Sequence, residues 1–517
     1  MEKTTRTGFG WPIDSRLVAL SFGLFIIGID YTVLNVAMLD IRDSLGAGLE
    51  ALEWIFGVFS LVSGATVLAV GAAADRLGRR RVYVTGVVWF TLSSALCAAA
   101  WSPTILIVAR GAQGLGVAMV GTATFALIVE LYEGAARQRA LGVVSAISAL
   151  SFVVGPLLGA LVVGLTDWRW VFLINLPLGL AAALLGRATL PESRDASARG
   201  PIGLGQTLLL TLSLLGFAWF ALRGDQAGWT SDEVIGALLV GLCSLAVFTA
   251  YETRKKEGAL LPLDVFARRE VIGPLIAVAI VQGAFAGWLV YFLLELQGLL
   301  GLTPAEAGIG LLSEIIPFSI AAPLGSAFSD RVGAARAAAI GCTGVAVGFL
   351  AVLAAGSEPS LLSLAPGLVL IGFAGGLIPA PLESAALGAL PASRAGMGGG
   401  LTATFRNVGV TFGVAGLGVL LQASISARGM TPAMSDLAQD ASVSQAPAAA
   451  RDAVAGAFSS GFQLVTLTSA GLYIVAALAA LLTTKTCPVA KSPDCAPGLL
   501  HRASLPAATI PKAALSE

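Results

Sequence analysis

Fourteen stretches of about twenty mostly apolar residues recur along this 517-residue chain, each long enough to cross the hydrocarbon core of a bilayer as a helix. They cover residues 17–39, 54–74, 82–101, 104–127, 140–165, 170–190, 202–222, 234–251, 271–294, 305–328, 337–355, 361–386, 397–421 and 462–483. Lipid offers backbone amides no hydrogen-bond partner, so such a chain must fold as an all-α integral membrane protein. Composition agrees. Hydrophobic residues make up 56% and charged residues only 12%, about half the charged share of a soluble domain.

The run Gly71-Ala-Ala-Ala-Asp75-Arg76-Leu77-Gly78-Arg79-Arg80-Arg81 separates the second and third stretches. A reduced copy, Asp330-Arg331-Val332-Gly333, separates the tenth and eleventh, 255 positions on. That offset lays the first six stretches over the last six and leaves the seventh and eighth as an inserted pair. The expected organisation is therefore an N-terminus at 1–16, a six-helix bundle at 17–190 and a linker with two additional helices at 191–270. A second six-helix bundle at 271–484 and a Pro- and Ala-rich, disordered tail at 485–517 complete it. Two related halves joined in one membrane have the layout of a secondary transporter.

Lysine and arginine fix the expected orientation. With the N-terminus in the cytoplasm, 24 of them fall on the inside, five outside and two within helices. Both termini are thus expected in the cytoplasm of a multi-pass cell-membrane protein. Residues 1–16 are polar, and the first apolar stretch lacks a small-residue cleavage pattern, so it reads as a retained helix rather than a secretory signal.

The inventory excludes several classes. The five cysteines form no CxxC pair and the single histidine, His501, lies in the tail, so no metal site is expected. Net charge is zero, which gives nucleic acid no basic surface. No nucleotide-binding loop or nucleophile–base pairing appears, which argues against an ATP-driven pump or an enzyme.

An ionisable side chain inside a spanning helix costs a few kcal/mol on insertion scales and is a functional candidate for that reason. Asp30, Arg110, Glu314 and Arg406 qualify by depth. If their helices adjoin, Asp30 and Arg110 lower each other's burial cost, and protonation of Asp30 breaks the pair. A permanent pair that merely holds two helices together fits the same residues. Glu314 has no evident partner, and it suits proton coupling or a cationic substrate; a neutral packing role is the alternative. Asn35 and Gln113 join Glu314 and Arg406 as candidates to line a substrate cavity. Arg406 suits an anion or carboxylate, or a structural hydrogen bond.

At the membrane face, Gly71, Asp75, Arg76, Gly78 and Arg79 suggest a conformational latch. Asp75 can lie against a helix N-terminus of the other half, and Arg79 can reach Glu130. Asp330 and Arg331 suggest a second, weaker latch onto Glu383. Gly155, Pro156 and Gly159 place a kink and a close backbone approach in the fifth stretch, which an ordinary small-residue contact also explains.

Together these motifs resemble the major facilitator superfamily, specifically its fourteen-spanner drug:proton antiporter-2 family, over nearly the whole chain apart from the tail. Residues Gly71 to Arg81 resemble its loop signature, Arg110, Gln113, Gly114 and Gly116 its fourth-helix signature, and Gly155, Pro156 and Gly159 its antiporter signature. Asp30 to Ala37, Trp168 to Gly179 and Leu261 to Phe266 are similar to further segments of that family. Departures stand at Leu39, Ala73, Ser151 and Ala160, and none removes a mechanistic charge. The resemblance implies a major facilitator fold of two six-helix bundles plus two central helices. It implies export of amphipathic small molecules, drugs or antibiotics in exchange for protons, without a cofactor. Its partners would be the substrate, protons and membrane lipid, and a monomer would suffice. A dedicated exporter of one metabolite, or a receptor on the same scaffold, remains open on these residues.

Overall fold

The computed structural model of the chain describes residues 14–194, 203–254, 266, 268–356, 360–388, 395–439, 441, 443 and 447–483, and among these described residues helices are the only regular structure. The first half comprises α1 (Ser15–Val36), α2 (Met38–Leu45), α3 (Leu49–Leu77), α4 (Arg79–Ala98), α5 (Pro103–Leu131), α6 (Gly134–Leu165), α7 (Arg169–Leu173) and α8 (Asn175–Thr189). The inserted pair is α9 (Leu204–Ala227) and α10 (Asp232–Arg254). The second half comprises α11 (Arg269–Leu294), α12 (Pro304–Val332), α13 (Ala334–Leu353), α14 (Leu361–Gly376), α15 (Pro379–Gly388), α16 (Ala395–Ser426), α17 (Pro432–Gln439) and α18 (Arg451–Thr483). Thirteen described segments are long and apolar enough to span a membrane. The 32-residue α6, packed on α1 and α12, is the fourteenth by position.

Local chemistry sets several ends. Ser102 caps α5, accepting from the Ile105 amide at 3.4 Å, with Pro103 in the first turn. Thr303 and Glu306 form a reciprocal capping box on α12. The two copies of the Asp-Arg-x-Gly repeat end α3 and α12 alike, at Gly78 with φ +115° and Gly333 with φ +89°. Only glycine adopts such angles without strain, so the chain reverses there into α4 and α13.

Hydropathy does not resolve three breaks. The first stretch parts at Ala37 into α1 and α2, the sixth at Ile174 into α7 and α8, and the twelfth around Leu377 into α14 and α15. The last helix begins at Arg451 rather than 462, because it continues beyond its apolar part. The segment before it carries α17 and a 3-10 turn at Ala448–Ala450. The tail at 485–517 lies outside the described residues.

The halves meet along two seams related by the repeat, α3 against α16 and α6 against α12. The inserted α9 packs on both α3 and α16 and so covers one seam. Trp54 and Trp219 pack there with ring centroids 5.6 Å apart and planes tilted by 50°, and Arg223 of α9 donates to Glu50 of α3 at 3.1 Å. Apolar packing is layered. One continuous core joins Ile29, Val33, Leu52 and Phe172 of the first half to Trp288, Phe292 and Phe349 of the second, and within the second half it runs on to Ala338 near the Gly333 turn. Toward the Gly78 end, a separate core of Leu20, Val67, Tyr83 and Leu127 belongs to the first half.

Candidate functional site

Asp30 is fully buried and stands at the centre of a cluster of donors. Arg110 donates from Nη1 to Asp30 Oδ2 at 2.6 Å, Gln113 from Nε2 to Oδ1 at 2.9 Å, and Asn175 from Nδ2 to Oδ1 at 2.7 Å. Gln113 and Asn175 also donate to Ser94 Oγ, at 2.7 and 3.3 Å. Arg110 further donates to Gln113 Oε1 at 2.6 Å and lies 4.0 Å over the Phe59 ring. Residues from α1, α4, α5 and α8 thus converge on one carboxylate.

The partners match an ionised acid. A carboxylate accepts only, and every side chain facing Asp30 in this set offers N–H. Protonation would place an O–H among those donors. Removing one charge of a buried pair typically costs about 3–5 kcal/mol. The hydrogen bonding of the cluster is therefore matched to a charged Asp30. Asn175 and Ser94 are site residues that the sequence reading did not select; the break at Ile174 orients Asn175 inward.

Gly155 and Gly159 lie in the contact between α6 and α1. A Cβ at Gly155 would stand 1.8 Å from Thr32 Oγ1, and one at Gly159 would stand 3.0 Å from the Val33 carbonyl oxygen. These two glycines allow α6 to approach the helix that carries Asp30. Pro156 lies between them in α6, and Asn35 lies in α1; their side chains are outside the described set.

At the Gly78 turn, Arg79 bridges two helices. It donates to Asp75 Oδ1 at 2.9 Å and to Glu130 Oε2 at 2.5 Å. Asp75 thus serves its own half, and its described partner is Arg79 rather than a helix terminus across the seam. Gly71 faces Thr122 of α5, and Arg76 sits half-buried at the end of α3. Glu192, absent from the sequence-derived set, lies 3.5 Å from both Arg80 and Arg81, while the Arg79 amide donates to the Ser193 carbonyl at 3.0 Å.

The second half corrects one expectation. Glu383 pairs with Arg406, not with Arg331. Asp330 and Arg331 are exposed, while Arg406 projects from α16 straight onto α15. The rest of the Arg406 stretch builds the seam. Thr404 donates to the Gly64 carbonyl at 2.8 Å, Asn407 to Ser63 at 3.4 Å and Thr411 to the Gly57 carbonyl at 2.9 Å. These residues share one helical face toward α3. Gly409 and Gly413, on another face, permit close contact with Ala279 and Gly283 of α11. Glu314 is 6% exposed in α12, with no hydrogen-bond or ion-pair partner among the described residues. Tyr473 of α18 lies within electrostatic range of it.

A profile of the Major Facilitator Superfamily matches residues 20–414. The chain is 33% identical over 412 residues to the multidrug resistance protein Stp of Mycobacterium tuberculosis, covering 80% of this chain and 76% of that protein. It is 30% identical to the multidrug transporter protein MdtP of Bacillus subtilis (79% and 75% covered) and 28% identical to the tetracenomycin C resistance and export protein of Streptomyces glaucescens (81% and 77%). Among solved structures, a bacterial homolog of the human lysosomal transporter Spinster superposes with a TM-score of 0.64 at 16% identity, over 92% of this chain and 98% of that one.

Proposed function

Because the chain belongs to the Major Facilitator Superfamily, and is thereby a multi-pass membrane transporter rather than an enzyme, we propose that it is a proton-coupled exporter. Its substrates are drugs, antibiotics or similar amphipathic small molecules, carried by alternating access. The observation that carries the coupling is the fully buried Asp30, held by donors alone.

Both termini lie in the cytoplasm on this reading, since 24 of the 31 Lys and Arg then fall inside. The Gly78 end faces the cytoplasm and the joined core faces outward. On this reading, the packing of Ile29, Val33 and Leu52 with Trp288 and Phe292 forms the outer gate. A proton reaching Asp30 releases Arg110, Gln113 and Asn175, frees α1 from α5 and α8, and biases the rocking of the halves. The proton gradient supplies the drive, so no cofactor is needed. All the residues of the Asp30 cluster come from one chain, so a monomer suffices.

Reconstitution into liposomes under an imposed pH gradient tests this. Wild type should accumulate a substrate such as a cationic dye. Asp30→Asn should bind the dye and fail to concentrate it; full gradient-driven accumulation by that variant would remove Asp30 from the mechanism. A dedicated exporter is the second reading, favoured by the relative whose name specifies tetracenomycin C. A panel of cytotoxic compounds in an efflux-deficient host separates the two by breadth.

A further inference from the structure

Glu53 lies in the first turns of α3, only 3% exposed, at the outer end of the seam. Its Oε1 is 2.5 Å from the hydroxyl of Tyr291, a fully buried residue of α11 in the other half. The same hydroxyl donates to the Val414 carbonyl of α16 at 3.0 Å. A phenol has one proton to give. The hydroxyl can serve only one of these acceptors fully at a time, and a proton on Glu53 would let both contacts be made together. The chain then runs from the Glu53 O–H to the Tyr291 oxygen, and from the Tyr291 O–H to the Val414 carbonyl.

We infer that Glu53 is a second proton-coupling residue, which locks the outer gate by a proton-dependent hydrogen-bond chain through Tyr291 to Val414. The inference rests on the proton-driven, outward-exporting reading above.

The surroundings favour it. On α3 itself the nearest charge is Glu50, which Arg223 of α9 occupies at 3.1 Å. On α11 the ionisable group beside it is Tyr291, with Glu295 one turn on in the π-helical turn that follows, while Arg269 and Glu270 stand at the opposite end of the helix. On α16, a Cβ at Gly418 would meet Glu53 Oε1 at 2.0 Å, so the acid is pressed against bare backbone. On α5 the nearby cation is Arg110, which is engaged by Asp30 and by the Ile55 carbonyl. The charged side chains of α4, Arg79 to Arg81, stand at its opposite end. No cation reaches Glu53 among the described residues. When ionised, Glu53 leaves Tyr291 one proton for two acceptors, and the contact between the halves weakens. A proton captured from outside thus closes the outer gate behind it, which is the order an exporter requires for its return step.

Pulsed electron-spin measurements between labels at Trp101→Cys and Leu362→Cys test this in liposomes. Both sites are exposed at the outer ends of opposite halves. Cys243, Cys487 and Cys495 are replaced by serine. In wild type, the long-distance population should grow as pH is raised. Glu53→Gln, whose amide donates as the protonated acid does, should stay short at every pH. Tyr291→Phe should show the long distance even where wild type is closed. A Glu53→Gln variant that titrates like wild type, or a Tyr291→Phe variant that stays closed, overturns the inference. Gradient-driven transport by the same wild-type liposomes separates the two readings. Its absence sinks the proton-coupled function, whereas its presence with a normally titrating Glu53→Gln sinks only the lock.

Discussion

Asn175 Nδ2 meets Asp30 Oδ1 at 2.7 Å although 145 positions separate the two residues in the chain. The contact exists because the sixth stretch breaks at Ile174, so that α8 begins with its first side chain directed into the bundle. It adds α8 to the elements that hold the Asp30 carboxylate. Through Ser94, which accepts from both Gln113 and Asn175, α4 joins as well. Four helices of the first half are thereby linked through a single carboxylate, which on the proposed proton-coupled reading gives a proton a route to rigid-body motion.

The pairing predicts a non-additive mutant cycle. Arg110→Ala leaves Asp30 buried without its cation and should destabilise the protein by about 3–5 kcal/mol, as breaking one side of a buried pair does. Asp30→Asn leaves Arg110 uncompensated in the same way. The double variant removes both charges and should be more stable than the sum of the single losses allows. Thermal unfolding in detergent reads this out, and simple additivity would mean that the two charges do not interact energetically.

Asp30 and Arg110 were legible in the sequence because burial of a charge in lipid is costly whatever surrounds it. Asn175 and Ser94 carry no charge, so hydropathy passes over them, and only their convergence identifies them. Glu53 escaped for a different reason. It stands just before the apolar stretch that starts at 54, and only packing against α11 and α16 places it among buried residues. The fourteen stretches and the repeat gave the order of the helices, because period and length are local properties. The choice of Arg406 over Arg331 as partner of Glu383 depends on which face of α16 meets α15, and that is a tertiary fact.

Glu314 should discriminate substrates by charge. It is buried in α12 with no described cation beside it, so a cationic substrate is the natural partner for its carboxylate. Glu314→Gln should reduce transport of cationic dyes at least several-fold and leave neutral compounds of similar size nearly unchanged. Initial efflux rates for matched cationic and neutral pairs decide the point. Equal loss for both would assign Glu314 to coupling or packing.

The α1–α6 contact should be intolerant of one methyl group. A Cβ at Gly155 falls 1.8 Å from Thr32 Oγ1, and Gly155→Ala should cost about 1–3 kcal/mol through overpacking. Thr32→Ala removes the clashing hydroxyl, whose own bond is to the Gly28 carbonyl in the same helix. The double variant should therefore recover most of the stability lost by Gly155→Ala. Failure to recover it would place the strain against the two α1 atoms that remain, the Cβ of residue 32 and the Ile29 carbonyl oxygen, at 3.0 and 3.2 Å.

Asp40 gives a pH dependence of stability with a definite sign. This half-buried residue lies in α2, beyond the first spanning segment; burial, followed by the charges of Asp43 and Asp167, raises its pKa above the usual aspartate value. The folded state then binds the proton more tightly than the unfolded chain, whose aspartates titrate near about 3.9. As pH rises from that value to the raised folded value, the unfolded state has already released its proton while the folded state still holds one. Stability contributed by this site therefore declines across that window and stays lower above it. Asp40→Asn removes the ionisation, so it should raise the melting temperature at neutral pH, with the gain shrinking as pH is lowered through the window. Melting curves for wild type and variant, taken from acidic to neutral pH, should diverge upward in pH; parallel curves would show that Asp40 titrates alike in both states.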